Sequence, residues 1–258
     1  MFGEERKAKI LEYVQQRTSS SVQEISAKFD VSESTVRRDL QELEEAKLLR
    51  RTHGGAVSLQ VVNFEPTFGE KEEKLLDEKR GIARKALAFI QDGDTILMDS
   101  GTTTLQLARL LRQASSFTRL TVVTNSLLIA QELQNAQGID VISVGGSLRR
   151  ETLAFVGPIA EQSLNFMRVD KAFVATNAFD LQEGLTTPNL IEAATKRKMI
   201  ETAKQVILLA DHSKFGKVTF AKVVGVSAID TLICDSAVPV SVINELKRLE
   251  LDVHVAES

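Results

Sequence analysis

Five short polar segments in this sequence have the residue types and spacing to bind an anion. The longest, Asp99-Ser100-Gly101-Thr102-Thr103-Thr104, directly follows an apolar run and opens a helical pattern. A glycine there permits a tight turn close to a ligand, and hydroxyls beside the free N–H groups of a helix N-terminus form a ready anion site. The run lacks the lysine spacing of a Walker loop and the glycine pattern of a dinucleotide fingerprint. Its plain alternative is that Ser and Thr merely cap the helix. Thr124-Asn125-Ser126 occupies the same kind of position, and Gly145-Gly146-Ser147 is followed by Arg149 and Arg150, which could reach a phosphate or lie on the surface. Gly184-Leu185-Thr186-Thr187 precedes Glu192 and Lys196, four residues apart on a helix and otherwise readable as a surface ion pair. Asp211-His212-Ser213-Lys214-Phe215-Gly216 is the last, with a structural turn around Asp211 and His212 as its alternative. With no Trp and one Tyr, stacking residues are scarce, so these segments favour a small, polar, anionic ligand over a flat ring.

A second set of residues lies near the N-terminus. Val36, Leu40 and Leu43 share one helical face, which turns Ser34, Arg38 and Gln41 outward with Thr35 and Arg37 on the flanks. Such a face suits the major groove, where Arg bonds guanine or phosphate and short hydroxyls reach base edges or phosphate. Alternatively it is a solvated face pairing its charges with Asp39, Glu42 and Glu45. The following residues favour DNA. Leu48 to His53 read as a strand, Gly54-Gly55 as a tight turn and Ala56 to Leu59 as a returning strand, with Arg50, Arg51 and His53 near the tip. The candidate DNA contacts are therefore Ser32, Ser34, Thr35, Arg37, Arg38, Gln41, Arg50, Arg51 and His53.

Composition bounds the setting. The 258 residues are 43% hydrophobic and 26% charged, an ordinary globular balance long enough for two domains. A net charge of −3 excludes a uniformly basic surface but not a local basic patch, which is all that DNA binding requires. No apolar run approaches a bilayer span, and charged Met1–Lys9 leads into no apolar segment, so a cytoplasmic protein without a signal peptide is expected. The single cysteine, Cys234, lies in the apolar run Thr231–Cys234 and reads as a buried small hydrophobe in a reducing compartment.

The elements that must position these residues follow from local patterns. Ile10, Leu11 and Val14 mark one face of a first helix; Ser21 and Glu24 form a capping box for a second, with Val22, Ile25 and Phe29 inward; Ser32 caps a third after the brief Asp30-Val31 connection. Three such helices form a helix-turn-helix. Gln60 to Phe68, with Pro66, reads as a linker between domains at 1–59 and 69–258. Gly69 to Ile90 reads as one helix, its early charges solvated and Ile82, Leu87 and Ile90 facing the core. Beyond it, seven apolar runs (95–98, 120–123, 141–144, 172–174, 206–209, 231–233 and 253–255) alternate with helical stretches at 105–111, 127–133, 193–203 and 240–249. This indicates a mainly parallel α/β sheet with helices on both faces, whose ligands bind beyond the strands' carboxyl ends.

The stretch Val31-Ser32-Glu33-Ser34-Thr35-Val36-Arg37-Arg38-Asp39-Leu40, with Leu43-Glu44 and Leu49 through Arg51 to His53-Gly54-Gly55-Ala56, resembles the DNA-binding signature of the DeoR family. The later motifs, in the same order, resemble that family's sensor domain. The resemblance implies a winged helix-turn-helix binding repeated operator half-sites as a homo-oligomer. It also implies a sensor similar in fold to the ribose-5-phosphate isomerase group, which responds to a phosphorylated sugar. On that resemblance Asp99–Thr104 would hold the phosphate, and Thr124, Asn125, Gly146, Lys196 and Lys214 would line the pocket, with Arg149 a further candidate. Ala175 and Ala178 stand where family members often carry glycine, and their methyls could narrow the pocket.

The reading is a transcriptional repressor of a sugar-metabolism operon, relieved by a phosphorylated sugar, with no catalytic residues, metal or cofactor. An isomerase carrying a DNA-binding domain is the alternative, for which Glu192 and Lys196 could supply the base and a stabilising cation. However, Ala175–Asp180 keeps one acidic residue where the related isomerases resemble a Gly-Ala-Asp-Glu pattern. An architectural DNA-binding protein would need no polar strand ends.

Overall fold

The computed structural model describes residues 3–17, 19–46, 48–52, 54–58 and 65–257, and the chain divides into two compact units, Met1–Phe64 and Glu65–Ser258. His53, Leu59 and residues 60–64 of the expected linker lie outside the described residues.

In the first unit, α1 (Gly3–Arg17), β1 (Ser19–Ser21), α2 (Val22–Phe29) and α3 (Glu33–Glu45) precede a hairpin of β2 (Leu49–Thr52) and β3 (Gly55–Ser58). Ser21 caps α2 reciprocally: the Glu24 amide donates to its hydroxyl at 3.1 Å and its own amide donates to the Glu24 carboxylate at 2.8 Å. Asp30, at φ +52°, ends α2 in the left-handed region, and Ser32 starts α3 two residues later. Ile10, Val14, Ile25, Val36, Leu40 and Leu49 close the core of this unit. β1, which the sequence reading did not foresee, pairs antiparallel with β3 on the side away from β2. A side chain at Gly55 would meet the Ser20 carbonyl at 2.1 Å, so this residue lets β1 lie against the wing.

The second unit opens with α4 (Phe68–Glu73) and α5 (Leu76–Leu87), not with one helix. The break falls at Lys74-Leu75, where Leu75 takes φ +53°. The charged run is only partly solvated: Phe68 is buried and Lys71 turns inward. The chain continues through β4 (Thr95–Met98), α6 (Thr102–Gln113), β5 (Leu120–Thr124), α7 (Leu127–Leu133), β6 (Ile139–Ser143), β7 (Ser147–Arg149), β8 (Ala154–Val156) and α8 (Pro158–Asn165). Then come β9 (Val169–Ala175), β10 (Ala178–Asp180), β11 (Gly184–Thr187), α9 (Leu190–Thr202), β12 (Ala203–Ala210), β13 (Ala221–Val224), β14 (Thr231–Asp235), α10 (Val240–Arg248) and β15 (Asp252–Ala256).

Seven strands form a parallel sheet in the order β15-β14-β12-β9-β4-β5-β6. Alternate residues feed opposite cores. Leu97, Val174, Leu208 and Cys234 face α8, α9 and α10, while Ile96, Met98, Phe173 and Ile207 face α5, α6 and α7. Burial pushes the Cys234 thiol up to about 12, as suits a small apolar core residue. β7–β8 and β10–β11–β13 are small antiparallel additions absent from the sequence reading. They are too short to carry a period-2 signal.

β4 begins a run outward through β5 and β6, and the chain then returns to place β9 on β4's other side. The topological switch point, where α/β sheets bind ligands, thus lies between the carboxyl ends of β4 and β9.

Candidate functional site

The first candidate surface is α3 with the wing. The Ser32 hydroxyl accepts the Thr35 amide at 3.3 Å and lies 2.9 and 2.8 Å from the hydroxyls of Ser34 and Thr35. Arg37 and Arg38 project into solvent, with side chains 63% and 82% exposed, and their partners are local: Glu33 at 2.9 Å and Glu42 at 3.4 Å. Gln41 donates to Glu45 at 3.0 Å. Asp39 does not belong to this face. It is buried, and the Arg6 guanidinium of α1 donates to it in a fork at 2.6 and 3.0 Å. The charge that seemed available to neutralise the helix face therefore fastens α3 to α1 instead. Arg50 is half-buried and Arg51 exposed on β2, whose Arg51 amide donates to Glu44 at 2.8 Å.

The second is a cleft at the switch point, lined by residues from the ends of β4, β9 and β12, the first turn of α6, the first two turns of α9, the loop after β7, and α4. Ser100, Gly101, Thr102 and Thr103 reach it from the β4–α6 turn, Lys196 from α9 and Lys214 from the short 3₁₀ turn His212–Lys214. Lys71, Thr152, Ala175, Thr176, Asn177, Glu192 and Leu209 complete the lining. Thr176-Asn177 follow a strand as the recognised motifs do, so position alone could have found them. Lys71 and Thr152 carry no local signal.

Asp99 organises this site from below rather than lining it. Its Oδ1 accepts the Gly101 amide at 3.1 Å and the Thr104 hydroxyl at 3.0 Å, and its Oδ2 accepts the Ala175 amide at 2.9 Å and Lys196 Nζ at 2.6 Å. Lys196 also donates to the Ala175 carbonyl at 2.7 Å. One carboxylate thereby ties β4, β9 and α9 together. Burial pushes the Lys196 pKa down, but Asp99 and Glu192 outweigh it and leave it raised, so the ammonium stays charged.

Asn189 caps α9 by accepting the amides of Ile191 and Glu192, which sets Glu192 and Lys196 one turn apart on the buried face. They do not form a helix-surface pair. Glu192 accepts from Arg149 Nη1 at 2.7 Å, and Arg149 lies 2.5 Å from Glu65, whose other oxygen accepts from Lys71 at 3.0 Å. The Glu192 carboxyl is raised by burial and by the neighbouring Glu65. Burial also raises Glu65, but Lys71 and Arg149 outweigh it and hold this carboxylate below its ordinary range.

The other sequence candidates lie outside the lining. Thr124 donates to the Met98 carbonyl at 2.8 Å and Asn125 to the Phe155 carbonyl at 3.0 Å, so both stitch strand ends. Gly146 packs on the Val156 carbonyl, Thr104 is spent on Asp99 and Gly101, and Arg149 is enclosed by carboxylates. Ala175 lines the cleft with its methyl beside Gly101, whereas Ala178 pairs with Thr186 in the β10–β11 hairpin. Asp211 and His212 form the hydrogen-bonded turn: Asp211 accepts the Ser213 amide at 3.0 Å, and the His212 amide donates to Asp235 at 2.6 Å.

A helix-turn-helix with a basic wing, joined to a parallel α/β unit with a polar cleft at its switch point, defines a helix-turn-helix transcriptional regulator with a C-terminal sensor domain. The chain belongs to the DeoR family: residues 6–61 match the DeoR-like helix-turn-helix domain and residues 74–236 the DeoR C-terminal sensor domain. It is 40% identical to the uncharacterized HTH-type transcriptional regulator YulB of Bacillus subtilis, over 98% of this chain and 96% of that one. It is 35% identical to the HTH-type transcriptional repressor GlcR of the same organism, over 91% and 89% of the two chains. Among solved structures, a D-ribose-5-phosphate isomerase in complex with phospho-erythronic acid aligns over 54% of each chain with a TM-score of 0.39 and 20% identity.

Proposed function

We propose that this regulator represses a sugar-metabolism operon and that a phosphorylated sugar bound in the switch-point cleft relieves the repression. The observation that carries the reading is the cleft itself. Ser100, Thr102 and Thr103, on the turn into α6, share it with Lys196 and Lys214, an arrangement suited to a phosphate. α3 and the wing supply the DNA contacts, with Ser32, Ser34, Thr35, Arg37, Arg38, Gln41, Arg50, Arg51 and His53 as the contacting residues. In this reading the DNA-binding domain spans 1–59 and the sensor 69–258, and the protein works in the cytoplasm as a homo-oligomer on repeated half-sites. Repression accords with the relative named as a repressor. No helix of the described residues is long and apolar enough to cross a membrane.

Thermal unfolding of the full chain with a panel of phosphorylated sugars and their unphosphorylated counterparts tests this. A ligand at about 100 times its Kd stabilises its domain by roughly 2.7 kcal/mol, which raises the midpoint by roughly 5–11 °C. A shift confined to phosphorylated compounds supports the effector site; none across a broad panel rejects it.

One observation favours the isomerase reading: Glu192, a buried carboxyl raised above its ordinary range, borders the cleft. Its bond to Arg149 argues for a fixed structural role instead. Aldose–ketose turnover that Glu192→Ala abolishes would establish an enzyme.

A further inference from the structure

Each lysine that borders the cleft already has a carboxylate partner. Lys71 pairs with Glu65 at 3.0 Å, Lys196 with Asp99 at 2.6 Å and Lys214 with Asp211 at 3.8 Å, while Arg149 lies behind them between Glu65 and Glu192. A phosphate ester brings roughly −1.5 to −2 charges near pH 7. It would enter a cluster whose positive charge is spent, unless one carboxylate gives way.

The four carboxylates differ in how firmly they are held. Asp99 accepts from two amides, a hydroxyl and an ammonium; Asp211 caps the turn into Ser213; Glu192 stands within α9. Glu65 belongs to no helix or strand and lies two residues before Thr67, the cap of α4. Its side chain is nevertheless 3% exposed. Oε1 accepts from Lys71 and from Asn177 Nδ2 at 3.2 Å, but Oε2, although 2.5 Å from Arg149, is buried without a well-aligned hydrogen bond. Carried on irregular backbone, the Glu65 carboxylate can leave without unwinding a helix or unpairing a strand. α4 itself would remain in place, because Phe68 is buried in the core and Glu72 accepts from Arg109 at 2.7 Å.

We propose that Glu65 is a built-in competitor of the effector: an anionic ligand takes over Lys71 and Arg149, expels the Glu65 carboxylate and releases Glu65–Thr67. These three residues head the compact unit that holds the cleft and are the first to feel its occupancy on the chain path back to the DNA-binding unit. The inference rests on the cleft being the effector site. It makes ligand binding and release of this segment one event, with differential contacts in each state, as allosteric coupling requires.

The test uses the full-length chain, with inorganic phosphate, ribose 5-phosphate and glucose 6-phosphate as probes and the free sugars as controls. Affinities are measured by calorimetry for the wild type and Glu65→Gln, which keeps the side-chain volume and removes the charge. Amide exchange at Thr67–Glu70 of the wild type is followed with and without the best probe. Glu65→Gln is expected to bind that probe at least fivefold more tightly. Exchange at Thr67–Glu70 is expected to rise on binding, opposite to the protection a ligand ordinarily confers. Equal or weaker binding by Glu65→Gln, or increased protection of these amides in the wild type should the variant fail to fold, overturns the proposal and leaves the effector site standing. If no phosphorylated probe binds either protein, the effector reading falls and the proposal with it.

Discussion

Gly101 and Ala175 meet across the switch point, and their contact couples the phosphate-loop candidate to β9. A methyl added at Gly101 would fall 2.3 Å from the Ala175 Cβ, 3.0 Å from the Thr104 hydroxyl and 3.1 Å from Asp99. The backbone of Gly101 is ordinary extended chain at φ −75°, so the obstacle is space and not conformation. Gly101→Ala is therefore expected to destabilise by about 1–3 kcal/mol, as overpacking does. Adding Ala175→Gly should return part of that loss, with a coupling of about 0.5–2 kcal/mol in a double-mutant cycle of denaturant unfolding. Strict additivity of the two changes would refute the contact. The glycine loop was legible in the sequence and the resemblance set Ala175 at the same pocket, but the contact between them was not legible, since 74 positions separate the two residues and nothing local to either names the other.

The α4–α5 joint shows the same limit for elements. Helical periodicity runs on from Gly69 toward Ile90, and no Gly or Pro interrupts Lys74-Leu75. What accompanies the break is a side chain and not a breaker residue: buried Lys79 of α5 donates back to the carbonyls of Lys71 and Lys74, closing the end of α4. Burial pushes the Lys79 ammonium from 10.5 down to about 8, with Asp211, Glu72 and Glu78 opposing the shift and Lys214 adding to it. Between about pH 8 and 10.5 the unfolded chain therefore binds more protons at this site than the folded one, and stability rises with pH through that window. The unfolding free energy of the wild type relative to Lys79→Met should grow by about 1–3 kcal/mol from pH 7 to pH 10, read by chemical denaturation at each pH. A difference that stays constant would place this lysine in an environment where its ammonium costs nothing.

For the whole molecule, the N-terminal core and the two faces of the sheet are separate hydrophobic clusters, so damage to one proposed site need not reach the other. Arg38→Ala removes an exposed guanidinium that pairs with Glu42 at 3.4 Å. It should weaken operator binding by about 1–3 kcal/mol in a gel-shift titration and leave the ligand-induced thermal shift unchanged. Thr103→Ala should do the reverse, retaining operator affinity while blunting the response to ligand. Loss of both activities in either variant would undo the division of labour. Coupling between such sites is typically worth 1–3 kcal/mol, enough for a 5- to 150-fold change in operator affinity.

Local chemistry in the sequence determined the winged helix-turn-helix, the alternation of strands and helices and the polar turns after the strands. Capping by Ser21 and Ser32, apolar spacing in α3 and the glycine turns all act within a few residues, where type and position suffice. Tertiary structure alone decided which strand lies beside which, and with that the site. β9 beside β4 brings Ala175 to Gly101 and sets Lys196 on Asp99, 97 positions away, and Glu65 reaches Arg149 from a segment that read as linker. Apolar burial is non-directional: a periodic pattern names the face to be buried but not its neighbour, and a charge in sequence does not name the opposite charge it will meet.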